Sequence, residues 1–193
     1  MNKITIITDN TSDLTNEIYK QNDVVILKIK AFVGDKEVTD LSEEEMFKLA
    51  DKEGTLPKTA ATNVAEFEEI FGKYAKDSDV LYIGLGSGFS STYGSAVIAS
   101  ESFDNVYTID SKNLSSGIGL LVLKMCKYRD QGLSAPEIKE KIDAHILDTK
   151  RVLMVARVQD DVPQEQWREK STPLAIIAIE DQIRTDAIET INW

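Results

Sequence analysis

The stretch "GLGSGFSSTYGSAVIAS" (residues 84–100) decides how this chain is read. It follows "VLYI" (residues 80–83), an apolar run with strand character. It turns on Gly84, Gly86 and Gly88 and enters a segment with helical spacing. Strand, glycine turn and helix form the repeating unit of an open α/β sheet, whose ligands bind beyond the carboxyl ends of the strands. The turn is crowded with hydroxyls: Ser87, Ser90, Ser91 and Thr92. A helix starting near Ser90 leaves free N–H groups at its positive end. Neutral donors of this kind suit an anion, either one carboxylate or a phosphate.

Working outward, strands and helices alternate. "KITIIT" (3–8) reads as a short buried strand, and "SDLTNEIYKQ" (12–21) as a helix carrying Leu14 and Ile18. "VVILKIKAFVG" (24–34) reads as a second strand, with a hairpin turn around Gly34 and Asp35. Ser42 with Glu45, and Asn63 with Glu66, have the spacing of capping boxes. The first opens a helix that Gly54 ends. The second opens one that places Phe67, Ile70, Phe71 and Tyr74 on one face. "NVYTID" (105–110) is a strand, and "GIGLLVLKMCKYRD" (117–130) a helix running to Gly132. Ser134 and Glu137 open another helix, with Pro136 tolerated in its first turn, and "RVLMVARV" (151–158) is a strand. This rhythm predicts an α/β fold: a largely parallel sheet with helices on both faces. Residues 1–158 form that domain. From about Gln159 the chain turns polar and irregular, and "LAIIAIEDQIRTDAIETI" (174–191) then reads as two strands around Asp181 and Gln182. Two strands do not make a domain, so 159–193 reads as the remnant of a second domain or as edge strands.

Charge removes some partners. The chain of 193 residues carries a formal net charge of -11, which repels nucleic acid and anionic membrane surfaces. No apolar run is long enough to span a bilayer, so no stable membrane insertion is expected. Cys126 has no partner for an internal disulfide, and "MNKITIITDN" has no signal-peptide pattern. A cytoplasmic location is therefore expected.

Hydroxyls gather where strands end. Thr11 and Ser12 follow the first strand with Asp9 and Asn10; Ser111, Ser115 and Ser116 follow "NVYTID". A further loop, "LPKTAAT" (56–62), offers Lys58, Thr59 and Thr62. Each cluster alone reads as helix capping; several at one sheet edge read equally as a shared site. The candidate ligand contacts are Thr59, Ser90, Ser91, Thr92, Thr11 and Ser111. A nucleophilic serine needs a base, and the only histidine, His145, sits inside a predicted helix. Gly-x-Ser-x-Gly is absent, since Thr92 stands where the second glycine of a Ser90-centred motif belongs. One Cys and one His make a poor metal set, and no cofactor is implied. Asp9 and Asp110 fit Mg²⁺, helix capping, or acceptance of loop amides, the last two preferred. The dinucleotide spacing Gly-x-Gly-x-x-Gly fails at its third glycine, which is Phe89 or Ser91 depending on the register. An enzyme binding nucleotide or phosphate with the same loops stays open as the alternative, as does an interaction module with an empty site.

"ITDNTSDLT", "LPKTAAT", "GSGFSSTYGSAVIAS" and "VYTIDSKNLSSGIGLLV" stand in an order that resembles the DegV family of bacterial fatty-acid-binding proteins. The likeness runs from about Lys3 to Val158. It implies two α/β domains with a long-chain fatty acid between them, the carboxylate held by a threonine and a serine at the positions of Thr59 and Ser90. It further implies a carrier without chemistry of its own, which presents the acid to a fatty acid kinase whose acyl-phosphate product feeds phospholipid synthesis. Departures are Asn10 for a usual serine, Ala60-Ala61-Thr62 for Ser-Gln-Pro, and Ser91 for a glycine. The family's Gly-Gly-Arg-Ile segment and its head-group histidine are not in the sequence, so the second domain is expected to be truncated or vestigial.

Overall fold

The computed structural model describes residues 3–148, 151–157 and 172–179. These fall into two compact units that divide between Ile146 and Leu147. The first unit is built on four parallel strands: β1 (Ile4–Asp9), β2 (Val24–Leu27), β6 (Asp79–Ile83) and β7 (Val106–Ile109), in the order β2-β1-β6-β7.

Alternation along each strand divides the apolar residues between two faces. Ile6, Leu81 and Ile83 point to one face, packed by Tyr19 of α1 (Asn16–Gln21), Ile118, Val122 and Met125 of α5 (Ser116–Asp130), and Ile138 and Ile142 of α6 (Ala135–Asp148). Ile7, Val80 and Tyr82 point to the other, against Phe67 and Phe71 of α3 (Val64–Tyr74) and Ala96 and Ala99 of α4 (Thr92–Ser100). Helices therefore cover both faces, as the βαβ rhythm requires. On the α3 side the core is aromatic. The Phe67 ring meets Tyr82 edge-on at 4.9 Å and lies 5.3 Å from Phe71.

A small antiparallel sheet, β4-β3-β5, packs Val33 and Val38 against Ala50 of α2 (Glu43–Glu53). Its strands are β3 (Lys30–Val33), β4 (Lys36–Glu37) and β5 (Lys58–Ala60). Three sequence expectations change here. The run 24–34 is two strands in two sheets. The break lies where the Asn10 side chain accepts the Ile29 N–H at 3.0 Å, taking that amide out of any ladder. Residues 58–60, read as loop, form β5, because β3 offers them an antiparallel partner. The helix expected from residue 12 starts only at Asn16. Before it comes a 3-10 turn, Asn10–Ser12, closed by Asp13 in the left-handed region at φ 53°.

Both expected capping boxes form, at Ser42 with Glu45 and at Asn63 with Glu66, and Gly54 ends α2 at φ 62°. In the second unit β8 (Arg151–Arg157) pairs antiparallel with β9 (Thr172–Ile179). The polar stretch from Gln159 and the strand expected after Gln182 lie outside the described residues.

Phe67→Ala deletes a fully buried ring from a three-ring contact. It is expected to lower the unfolding free energy by about 3–5 kcal/mol, read as a reduced urea midpoint.

Candidate functional site

Parallel strands end at a common edge. There the loops after β1, β6 and β7 are bonded to one another. The post that joins the first two is Asp9, the last residue of β1, fully buried. One carboxylate oxygen accepts the Thr11 N–H at 3.1 Å and the Thr11 hydroxyl. The other accepts the Leu85 N–H at 2.8 Å and the Tyr82 hydroxyl at 3.3 Å. A buried carboxylate is tolerated when donors fill its lone pairs. Burial, and then the charge of Asp9, push the Tyr82 phenol well above its ordinary 10.0.

The glycines serve this close approach. A Cβ on Gly84 would lie 2.2 Å from the Asp9 carboxylate and 2.4 Å from the Tyr82 oxygen. One on Gly86 would lie 2.8 Å from the backbone of Lys112 and Asn113. The opposite side of the turn is stapled to the loop after β7. Asp110 accepts the Ser87 N–H at 3.0 Å, the Ser87 hydroxyl at 2.6 Å and the Lys112 N–H at 3.2 Å. Burial works to raise the Asp110 carboxyl, but the Ser87 donors and the Lys112 amide outweigh it and hold it below its ordinary 3.8. The buried Ser111 hydroxyl bonds the Gly84 carbonyl at 2.6 Å, and the Gly86 N–H donates to the Asn113 carbonyl at 3.0 Å.

These bonds decide what the glycine turn presents. A phosphate-binding loop aims its amides at the ligand. Here the amides of Leu85, Gly86, Ser87 and Phe89 are turned to Asp9, Asn113, Asp110 and the Gly86 carbonyl. Asp110, at the place of a ribose partner, is an acceptor of loop amides. The donors left over are side-chain hydroxyls and the first amides of α4.

Of the expected contacts, Ser90 is half-buried and Thr92 fully buried, their oxygens 2.9 Å apart, with the Thr92 N–H donating to Ser90 Oγ at 3.2 Å. Ser91 is exposed at the N-cap of α4 and makes no side-chain cap bond. Thr11 has its hydrogen committed to Asp9, and Ser111 has its own committed to main-chain carbonyls. Thr59 is exposed on β5, paired with Ala31. Phe89 and Leu114, on the loops after β6 and β7, are exposed apolar residues at 50% and 48%. The lone histidine, His145 on α6, packs against Lys124 of α5, whose Nζ lies 2.9 Å from Nε2. It is bonded to none of the hydroxyl loops. A recess of about 830 Å³ runs beside α3 between Leu27, Ala60, Ala61 and Ile70, and none of the hydroxyl contacts above lines it. Among the described residues no three His, Cys, Asp or Glu side chains gather as metal ligands, and no helix is long and apolar enough to cross a membrane.

Asp9, Tyr82 and Asn113 position the site without appearing among the expected contacts. Asp9 and Asp110 were legible as strand-end carboxylates. Tyr82 gave no signal, because a tyrosine inside an apolar strand looks like core.

The family model described as "Uncharacterised protein, DegV family" matches residues 3–160. The chain belongs to the DegV family. A DegV domain-containing protein of Clostridium acetobutylicum is 35% identical over 166 residues, which are 83% of this chain and 60% of that protein. Among solved structures, DegV from Bacillus subtilis, a fatty acid binding protein, superposes with a TM-score of 0.70 at 20% identity, over 100% of this chain and 76% of that one. A stearic-acid-binding protein from Eubacterium ventriosum superposes with a TM-score of 0.63 at 26% identity, over 75% of this chain and 53% of that one. The chain spans roughly half to 60% of the length of the curated DegV relatives it matches.

Two outcomes follow from the staples. Gly84→Ala drives a methyl into the Asp9 carboxylate and is expected to cost about 2–3 kcal/mol, seen as a lower denaturation midpoint. Asp110, its folded pKa depressed, adds stability above the ordinary 3.8 that is lost as pH falls through the folded value. The stability gap between wild type and Asp110→Asn should therefore shrink from about pH 6 to about pH 3 in paired urea titrations.

Proposed function

We propose that this chain is a fatty-acid carrier that holds a long-chain carboxylate with the hydroxyls of Ser90 and Thr59. The observation that carries the reading is the state of the β6 turn. The amides of Leu85, Gly86, Ser87 and Phe89 are bonded within the protein and two carboxylates back the turn, while a half-buried hydroxyl stands at the entrance to α4. That arrangement offers neutral donors to one negative head group and withholds four amides of the glycine turn from a phosphate. Among the described residues Ser90 has no base: the groups bonded to its hydroxyl are the hydroxyl and amide of Thr92, and His145 is held on α6. It donates and does not attack, so the chain carries its ligand without transforming it. Exposed Phe89, next to Ser90, and Leu114 supply apolar surface beside the head group.

The energetics suit this division of labour. Burying methylenes contributes about 0.8 kcal/mol each, so the tail supplies affinity and the head group need only be satisfied. Solved DegV relatives that bind fatty acids support the same ligand class. Neutral hydroxyls leave negative charge on the carboxylate oxygens. Such an oxygen can attack the terminal phosphoryl of ATP on a kinase, forming an acyl-phosphate and releasing ADP, which suits the carrier reading in which the chain delivers fatty acid to a fatty acid kinase in the cytoplasm, ahead of phospholipid synthesis. Residues 1–146 carry the head-group loops, and the chain after Ile146 is assigned to a second-domain part, a boundary earlier than the 158 read from the sequence. The pairing of β8 with β9 supports joining the residues after Ile146 to that part.

Native mass spectrometry of the purified chain should reveal a co-purified long-chain acid; a co-purified nucleotide in its place would overturn the reading. In calorimetric titration of the delipidated chain with stearic acid, Ser90→Ala and Thr59→Ala should each weaken binding by about tenfold to a hundredfold, as expected for a hydrogen bond to a charged group. Uptake unchanged in the double variant would remove both residues from the site.

A further inference from the structure

The Ser90–Thr92 pair determines where one hydrogen points. The two oxygens lie 2.9 Å apart, and the bond is open to either donor. Burial decides between them. Thr92 is fully buried, and Ser90 is the partner of its hydroxyl. If Ser90 donated, the Thr92 hydrogen would be left in the interior without an acceptor, a state that native interiors avoid. Thr92 therefore donates to Ser90. Its backbone N–H donates to the same oxygen at 3.2 Å. A serine oxygen has two lone pairs and one hydrogen. Both lone pairs are now taken, and only the hydrogen is left, on a half-buried residue.

We infer that Thr92 is a positioning residue that makes Ser90 an obligate donor and so sets the head-group preference of the site for an ionised carboxylate over an uncharged isostere. The inference rests on the carrier reading and assigns Thr92 a role behind the ligand, acting through Ser90. The neighbouring loops underline the contrast. Thr11 gives its hydrogen to Asp9, and Ser111 gives its own to main-chain carbonyls. Those oxygens have only lone pairs to offer, which an anion does not want. Ser90 differs because Thr92 saturates it from below.

The test uses the delipidated chain, stearic acid and stearyl alcohol. Thr92→Val keeps the shape and removes the hydroxyl, so Ser90 regains the ability to accept. Affinity for stearic acid should fall about tenfold, or about 1.4 kcal/mol, while affinity for the alcohol stays within about twofold. Thr92→Ser restores the hydroxyl and should bring the acid-to-alcohol ratio back to within about threefold of wild type. A general packing defect would weaken both ligands together. An unchanged ratio in Thr92→Val, parallel loss of both ligands, or failure of Thr92→Ser to rescue overturns the inference while leaving the carrier reading standing. If wild type takes up neither ligand, the carrier reading is what fails. The hydrogen-bond direction is read without ligand or folding risk from hydroxyl-proton NMR of wild type. A Thr92 hydroxyl proton protected from exchange and coupled through space to Ser90 supports the direction; one exchanging at the solvent rate overturns it.

Discussion

The Asp9 carboxylate is the constraint on which the loop architecture depends. It lies buried at the end of β1 and bridges to the loop after β6, 76 residues on in sequence, through the Leu85 amide. Its charge is balanced by donors, with no cation among its bonded partners: two from Thr11, one from Leu85 and one from Tyr82. Each oxygen therefore holds a different loop, and neither loop is free to move without leaving a buried charge short of a donor, which is expensive in a low-dielectric interior. Gly84 follows from this, since any side chain there would occupy the space of the carboxylate.

Asp110 does on the β7 side what Asp9 does on the β1 side. Together they draw the amides of the glycine turn inward. A turn that resembles a phosphate loop in composition thus has the amides of Leu85, Gly86, Ser87 and Phe89 satisfied internally, with acidic groups behind it. What remains for a ligand is a short row of neutral hydroxyls at the entrance to α4, flanked by exposed Phe89. Uncharged donors beside apolar surface are what the proposed carrier reading asks of a head-group site.

Local signals were read well because their causes are local. The capping boxes at Ser42 and Asn63 close within three residues, and the apolar face of α3 follows from periodicity within one segment. Errors fell where a distant group intervened. The run 24–34 is uniformly strand-like, and only the Asn10 side chain, nineteen positions upstream, shows where it breaks. Residues 58–60 are too few to signal a strand, and they become one because β3 lies alongside. Asp13 and Asp9 shape the turn before α1, so a helical pattern that is continuous in sequence begins late in space.

By itself the sequence determined the α/β class, the alternation of elements, the capped starts of α2 and α3 and the strand ends on which the hydroxyls sit, and its motifs pointed to the DegV family. These depend on propensity, capping and periodicity, which act over a few residues. The tertiary structure alone decided which hydroxyls keep a hydrogen to offer. That outcome depends on donors and acceptors brought together from separate strands: Tyr82 and Leu85 to Asp9, Ser87 to Asp110, Ser111 to Gly84. Serine and threonine look alike in a sequence. A hydroxyl becomes a donor or an acceptor only when the fold has filled its other positions.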